Sequence, residues 1–320
     1  MATLSNSKTG YFSPDNIGVD AKEFYAEQGY LVVGNALPPE QLQRLLDETI
    51  ALVRGKLGSF GGLPETSESE SDDEVLRKIL CVHQAHKFSP FLMSMLSQQS
   101  IVDVLTRVIG PNVKCMQSML FIKAAGKPGQ AWHQDEDYIP TRDRSLAGAW
   151  IAMDDAHVEN GCLWVIPGSH KPGVLWPQYA HADKRFDCAF ESYDFPYKDE
   201  DAVPVEVTKG SIVFFNGYLL HRSLPNKAKS GYRRCLVNHY MSAESPLPWY
   251  TQKSMPEGEK VATADYRDIV MIAGKDPYAY KGTRDIARPH VRSAGDGGCG
   301  DGRMSLGEHK ARLQTTAPGA

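Results

Sequence analysis

Three residues frame the chemical question: His133 and Asp135 in "AWHQDED", and His221 in "GYLLHRS". A histidine and an acid two residues apart can be two surface side chains or two arms of a metal clamp. On a β-strand, residues i and i+2 project to the same face, so His133 and Asp135 can grip one ion. Two histidines and one carboxylate on one face of an octahedron often hold Fe(II) in oxygenases, with three positions left open for co-substrate and O2. The third ligand must come from a distant strand lying alongside. His221 follows the apolar run "SIVFFNGYLL" and so falls at a strand end in the same region.

A His-x-Asp pair alone carries little weight. With ten histidines, one such pair arises by chance on the order of once per chain. Other histidines compete. His83 and His86 in "CVHQAH" are close together but lack a third partner, and His239 in "LVNHYM" reads as a core or hydrogen-bonded strand histidine. His170 in "PGSHK" ends a strand, where substrate contact and turn capping are both open. Arg233, in "GYRRCLVNHY", adds more. A guanidinium fork makes two parallel hydrogen bonds to a carboxylate, which suits the remote carboxylate of 2-oxoglutarate. A nearby hydroxyl such as Ser223 can complete the set. Arg233 and Arg234 are neighbours on a strand, so only one can face the cavity. Hydrophobicity does not decide which: Cys235 and Val237 share a face with Arg233, and Leu236 shares one with Arg234.

These residues need a frame. "PPEQLQRLLDETIALVRGK" reads as a helix, because Leu42, Leu45, Leu46, Ile50 and Val53 recur at helical spacing. "SPFLMSMLSQQ" and "SIVDVLTRVIG" read as two shorter helices. The acidic segment Gly58 to Glu74 reads as a solvated loop, with cation binding as the lesser alternative. After Pro111 come short runs rich in β-branched and aromatic residues: "VKCMQSMLFIKAA", "GAWIAM", "CLWVIPGS", "VPVEVTKGSIVFFNG" and "RRCLVNHYM". Asn160-Gly161, Pro167-Gly168, Lys209-Gly210 and Asn216-Gly217 punctuate them as turns. Many short strands in one part of a chain predict a sandwich or barrel with helices packed outside. A long aromatic-rich insertion at about 171–202 interrupts the strands and is expected to act as a lid.

The chain has 320 residues, a net charge of −4 and 42% apolar residues. That predicts a soluble globular protein without a nucleic-acid surface or a membrane span. The polar start shows no signal peptide and "PGA" at the end no address signal. The scattered cysteines at 81, 115, 162, 188, 235 and 299 predict reduced thiols in a cytoplasmic setting. One domain over 1–292 is expected, followed by a Gly-rich, flexible tail over 293–320.

With these motifs in view, the sequence resembles the phytanoyl-CoA dioxygenase family of Fe(II)/2-oxoglutarate oxygenases. The resemblance runs from about Phe24 to Met241. It rests on "FYAEQGYLVVGNAL", "QSMLFIK", "WHQDEDY", "AWIAMDDAHVENGCLWVIPGSHKPG", "KGSIVFFNGYLLHRS" and "YRRCLVNHY". It implies a double-stranded β-helix, a cupin-like jelly roll that is mainly β, packed by N-terminal helices. It implies His133, Asp135 and His221 as iron ligands. It implies that Arg233, following Tyr232, binds 2-oxoglutarate beside Ser223, that Lys78 reaches the co-substrate, and that Met119 and Trp150 line its pocket. The gap from His221 to Arg233 is one residue longer than the family pattern. The implied reaction couples oxidation of 2-oxoglutarate by O2, giving succinate and CO2, to hydroxylation of a small molecule, with ascorbate as an optional reductant. The substrate, CoA thioester or free molecule, and the oligomeric state are not readable. Three alternatives compete: an iron halogenase, disfavoured by Asp135; a non-oxidative cupin-like metalloprotein, in which Arg233 has no reason to face the cavity; and an inert binding scaffold.

Overall fold

Two long strands organise the molecule: β4 (Val113–Ala124) and β13 (Tyr232–Ser242), paired antiparallel over nearly their whole length. The computed structural model describes residues 10–187, 190–245, 269–283 and 287–292. Around this pair grows a twisted sheet that also takes in β1 (Tyr11–Phe12), β2 (Tyr30–Val33), β3 (Cys81–His83), β6 (Ala147–Ala152), β11 (Ile212–Asn216), β14 (Val270–Ala273) and β15 (His290–Arg292). Its order is β1-β2-β11-β6-β13-β4-β3-β15, with β14 also pairing β4. A smaller sheet, in the order β10-β7-β12-β5, comprises β5 (Gln130–His133), β7 (Leu163–Val165), β10 (Val203–Val205) and β12 (His221–Ser223). The two sheets form a jelly roll, the architecture expected of the sequence.

Alternation assigns the two faces of the large sheet. Leu120, Ile122, Ile151, Phe214 and Leu236 belong to one core with the helices. Trp150, Val213, Cys235 and Val237 join Val165, Leu163 and Val205 of the small sheet in a second core. A residue slipped by one position would exchange these cores, so the register is strongly specified. Alternation puts Gln117, Met119, Phe121 and Lys123 on the face between the sheets, and a bulge between His239 and Tyr240 turns Cys115 instead into the core shared with the helices. Gln117, Met119 and Phe121 remain only partly buried although β4 has partners on both sides. Such side chains must line an open cleft.

The helices cover the other face. They are α1 (Val19–Gln28), α2 (Pro39–Val53), α3 (Asp72–Arg77), α4 (Pro90–Ser94) and α5 (Gln99–Val108). The α2 helix lies where its periodicity places it, burying Leu42, Leu45, Leu52 and Val53. The second apolar run shortens to α4 plus a 3-10 turn, Met95–Ser97. The acidic loop is shorter than expected: Ser71 and Glu74 form a capping box that starts α3 within it. Arg54 pairs with Asp72 at 2.6 Å and Lys78 pairs with Glu70, so basic groups satisfy these acids rather than a cation.

The insertion is not irregular throughout. It holds the hairpin of β8 (Gln178–Ala180) and β9 (Phe190–Ser192) and a 3-10 turn, Asp199–Asp201. Its Trp176, Phe195 and Tyr197 pack with Trp132 and Trp164, the neighbours in sequence of inward-facing small-sheet residues. These aromatics therefore cover the outer face of the small sheet and do not line the cleft. Cys81, Cys115, Cys162 and Cys235 are free and buried. The expected tail, 293–320, lies outside the described residues.

Candidate active site

His133 and His221 are direct partners in the β5–β12 ladder, so two strands distant in sequence present imidazoles side by side, ring centroids 4.1 Å apart. Asp135 is not on a strand, as its spacing implied. It opens a 3-10 turn, Asp135–Asp137. Gln134 before it is still extended, so the carboxylate keeps the side it would have on a strand. Gln134 is locked there because its amide donates to the Val174 and Tyr218 carbonyls and its oxygen accepts from Trp176 N.

Asp135 Oδ1 lies 3.7 Å from His133 Nε2 and 3.6 Å from His221 Nε2. Those separations are too long for hydrogen bonds. One ligand atom from each of the three residues falls within 4.8 Å of the others, the one such grouping among the described residues. His133 Nδ1 donates to Ala131 O at 2.7 Å and His221 Nδ1 to Leu219 O at 2.9 Å. A carbonyl can only accept, so both protons sit on Nδ1 and both Nε2 lone pairs point at the gap. Burial, then the neighbouring His221, pushes the His133 pKa down to about 4, keeping it a neutral ligand. Burial alone would raise Asp135, but His221, His239 and His133 around it outweigh this and hold the carboxyl well below its usual range. Two neutral imidazoles and one carboxylate, aimed at a common point and not bonded to one another, fit Fe(II).

His239 has a role that the sequence left as a core histidine. Its Nε2 donates to Asp135 Oδ2 at 2.9 Å. Gln117 Nε2 lies 3.3 Å from His239 Nδ1 and can donate to it. Gln117 and His239 are ladder partners, which places this relay beside Asp135. The arrangement occupies Oδ2 and leaves Oδ1 for an ion. Only the spacing of His239 from Arg233 on one strand face hinted at this.

The other end of the same strands carries cations. Arg233 is 4% exposed and points inward, its guanidinium 5.5 Å from the Trp150 ring centroid. Arg234 points outward and forms a two-pronged pair with Asp154, at 2.8 and 2.6 Å. Opposite Arg233 in the ladder is Lys123, also 4% exposed. Its ammonium reaches across to Ser223 Oγ at 2.8 Å. The sequence reading missed Lys123, because a lysine in "FIKAA" looks like a strand-edge residue. Met119 lines the cleft between His83 and Val237.

Lys78 is not brought to this site. Its ammonium pairs with Glu70 and donates to Glu65 O at 3.1 Å, on the surface of the acidic loop. The residue follows α3 rather than lying on β3, so its side chain leaves the cleft. His86 faces away and bonds Ser118 Oγ at 2.8 Å, while His83 stacks on His290 at 4.4 Å. His170 donates from Nε2 to Ala26 O at 3.1 Å, tying its turn to α1 rather than entering the site.

A jelly roll with this triad and an inward arginine defines a class, the non-haem iron oxygenases that use a 2-oxo acid. The family model for phytanoyl-CoA dioxygenase (PhyH) matches residues 25–235, and the chain belongs to that family. It is 28% identical to the peroxisomal phytanoyl-CoA dioxygenase of Homo sapiens over 71% of this chain and 69% of that protein. It is 26% identical to phytanoyl-CoA dioxygenase of Arabidopsis thaliana over 78% of this chain and 97% of that protein. Its fold is similar to that of the non-heme alpha ketoglutarate dependent carbocyclase SnoK from nogalamycin biosynthesis, with a TM-score of 0.54, 24% identity, and coverage of 74% and 88% of the two chains. The protein is an Fe(II)/2-oxoglutarate-dependent dioxygenase. No helix among the described residues is long and apolar enough to cross a membrane.

Proposed function

We propose that this dioxygenase hydroxylates a small molecule, with Fe(II) held by His133 Nε2, Asp135 Oδ1 and His221 Nε2, and 2-oxoglutarate held by Arg233 and Ser223. The observation that carries the reading is the shared inward face of β13, with Arg233 at one end and His239, bonded to Asp135, at the other. When bound, the iron and the 2-oxo acid supply O2 activation, with succinate and CO2 as co-products.

The chain's own residues do the positioning. The Ala131 and Leu219 carbonyls fix both imidazole tautomers, and His239 orients the carboxylate. Trp150, 5% exposed, and Met119 wall the co-substrate and keep water from its flank. A dry wall strengthens the charge pairing at Arg233. The segment from Gln178 to Asp187 reaches the rim: Tyr138 OH bonds Gln178 Oε1 at 2.8 Å, and Asp187 pairs with Arg292 at 2.7 Å. This part of the insertion, rather than Trp176, Phe195 and Tyr197, is the candidate lid. Ascorbate serves as an optional reductant. The free buried thiols support a cytoplasmic setting.

Asp135 occupies the position a halide would need, which favours hydroxylation over halogenation. The inward Arg233 opposes a cupin-like role without 2-oxoglutarate. Anaerobic Fe(II) plus 2-oxoglutarate should develop a weak visible charge-transfer band, absent in His133→Ala. A succinate-production screen over metabolite pools should then find the substrate, with turnover independent of chloride. Bound metal without a band in the wild-type protein would sink the reading.

A further inference from the structure

Lys123 is a buried cation beside a buried cation. It lies opposite Arg233 in the β4–β13 ladder, and both side chains reach the Gly161 carbonyl: Arg233 Nε at 3.0 Å and Lys123 Nζ at 3.4 Å. Gly161 has φ +80, and a Cβ there would lie 2.3 Å from Leu224 O, so glycine is required where this carbonyl is presented. Neither cation is paired with a carboxylate among the described residues. The carboxylate of Asp187, which also acts on Lys123, is paired with Arg292 at 2.7 Å. Two adjacent buried cations without a counter-charge are costly unless an anion joins them.

The hydrogen bonds show where that anion would be read. Lys123 directs its three N–H bonds at Ser223 Oγ (2.8 Å), Leu224 O (2.8 Å) and Gly161 O (3.4 Å). Its donors are thus all engaged within the protein. Ser223 Oγ also accepts from Gln130 N at 3.3 Å. A hydroxyl has two acceptor lone pairs and one proton. With both lone pairs engaged, Ser223 can only donate. Arg233 spends two of its donors on Gly161 O and Cys235 Sγ, leaving the rest of the fork without a protein acceptor among the described residues. This end of the cleft therefore offers donors alone.

We propose that Lys123 is a positioning residue for the co-substrate: it turns the Ser223 hydroxyl into an obligate donor, so that Ser223 and Arg233 together select a 2-oxo acid carrying a second, remote carboxylate. This rests on the proposed function above and adds a residue that the family motifs did not supply. Burial, then the Arg233 charge, pushes the Lys123 pKa well below the usual lysine value. An anion seated between the two cations would oppose that push.

The competing role is a strut. Lys123 bridges the two sheets, and its loss could loosen the whole cleft. A comparison of two ligands separates these roles. The anaerobic charge-transfer band is titrated with 2-oxoglutarate and with 2-oxopentanoate, which lacks the remote carboxylate. Lys123→Met should weaken 2-oxoglutarate by about tenfold or more, the scale of one charge-assisted hydrogen bond. It should leave 2-oxopentanoate within about twofold. Lys123→Leu, a second replacement without a donor, carries the same comparison if the methionine variant does not fold. In a Ser223→Ala background, Lys123→Met should add at most about twofold, because the residue it acts through is gone. Equal weakening of both ligands, no weakening of either, or an undiminished loss in the Ser223→Ala background would each overturn the proposal. A wild-type protein that binds metal yet shows no band with 2-oxoglutarate would instead remove the parent reading.

Discussion

The two ends of the inward face of β13 are built to opposite rules. At the His239 end, the groups facing the gap offer lone pairs: two neutral imidazole nitrogens and one carboxylate oxygen. At the Arg233 end they offer protons, from a guanidinium and a serine hydroxyl backed by an ammonium. Neither end is electrically complete by itself. The first calls for a cation and the second for an anion. A molecule with a chelating 2-oxo acid at one end and a carboxylate at the other joins them. Selectivity in this cleft thus follows from unsatisfied charge at both ends rather than from shape alone.

Breaking the lone-pair end should have the largest effect. Asp135→Ala removes the one anionic ligand and leaves His239 facing an empty site. Fe(II) binding and the charge-transfer band should fall to the detection limit, while circular dichroism reports an intact jelly roll. Retention of stoichiometric Fe(II) by Asp135→Ala would place the metal elsewhere. Breaking the proton end comes next. An enclosed carboxylate that loses its guanidinium partner costs roughly 3–5 kcal/mol in buried pairs. Arg233→Ala should therefore weaken 2-oxoglutarate by about a hundredfold or more, with Fe(II) affinity unchanged. If metal affinity fell equally, the two ends would not be separable.

The sequence disclosed these ends unequally. Spacing alone left His133, Asp135 and His221 as one option among several histidines, and the family resemblance singled them out; their ligand atoms come within 4.8 Å of one another. The inward turn of Arg233 was not readable from hydrophobicity, because β13 is covered on both faces, by the helices and by the small sheet. Lys123 and His239 were hidden for a related reason. Each gains its role from a partner across a ladder or between sheets, Arg233 or Ser223 for one and Asp135 for the other. Lys78 differed because the resemblance carries over a position and not its surroundings: here the ammonium is taken up by Glu70 and the Glu65 carbonyl. The aromatic insertion suggested a lid, and its Trp176, Phe195 and Tyr197 pack against Trp132 and Trp164 on the outer face.

His239 sharpens the comparison at intermediate magnitude. Of Asp135 it touches Oδ2, not the Oδ1 that lies near His133 and His221. Hydrogen-bond partners of metal ligands typically change affinity by about 10–100-fold when removed. His239→Phe should weaken Fe(II) within that range and leave 2-oxoglutarate affinity at saturating metal nearly unchanged. His239→Gln, which retains a donor, should recover part of the loss. An equal defect in both variants would mean that ring packing, not the hydrogen bond, is what Asp135 requires.

The smallest effect belongs to Arg234, and it tests the register on which the comparison stands. Arg234 differs from Arg233 by one position and so faces the opposite side of the sheet. Its guanidinium grips Asp154 through two hydrogen bonds, and its backbone N–H gives the same carboxylate a third at 2.8 Å. The pair is partly buried, with side chains 16% and 21% exposed. Removing the guanidinium leaves Asp154 with its backbone donor and with access to water. The expected loss of stability from Arg234→Ala is thus about 1 kcal/mol, near the upper end for such pairs. The affinity for 2-oxoglutarate should stay within about twofold of wild type. The two arginine variants should therefore differ in kind: one changes ligand binding and the other a melting temperature. If Arg234→Ala carries the loss of 2-oxoglutarate and Arg233→Ala does not, the strand is turned the other way in the working protein, and the donor-only end must be rebuilt from Leu236's face.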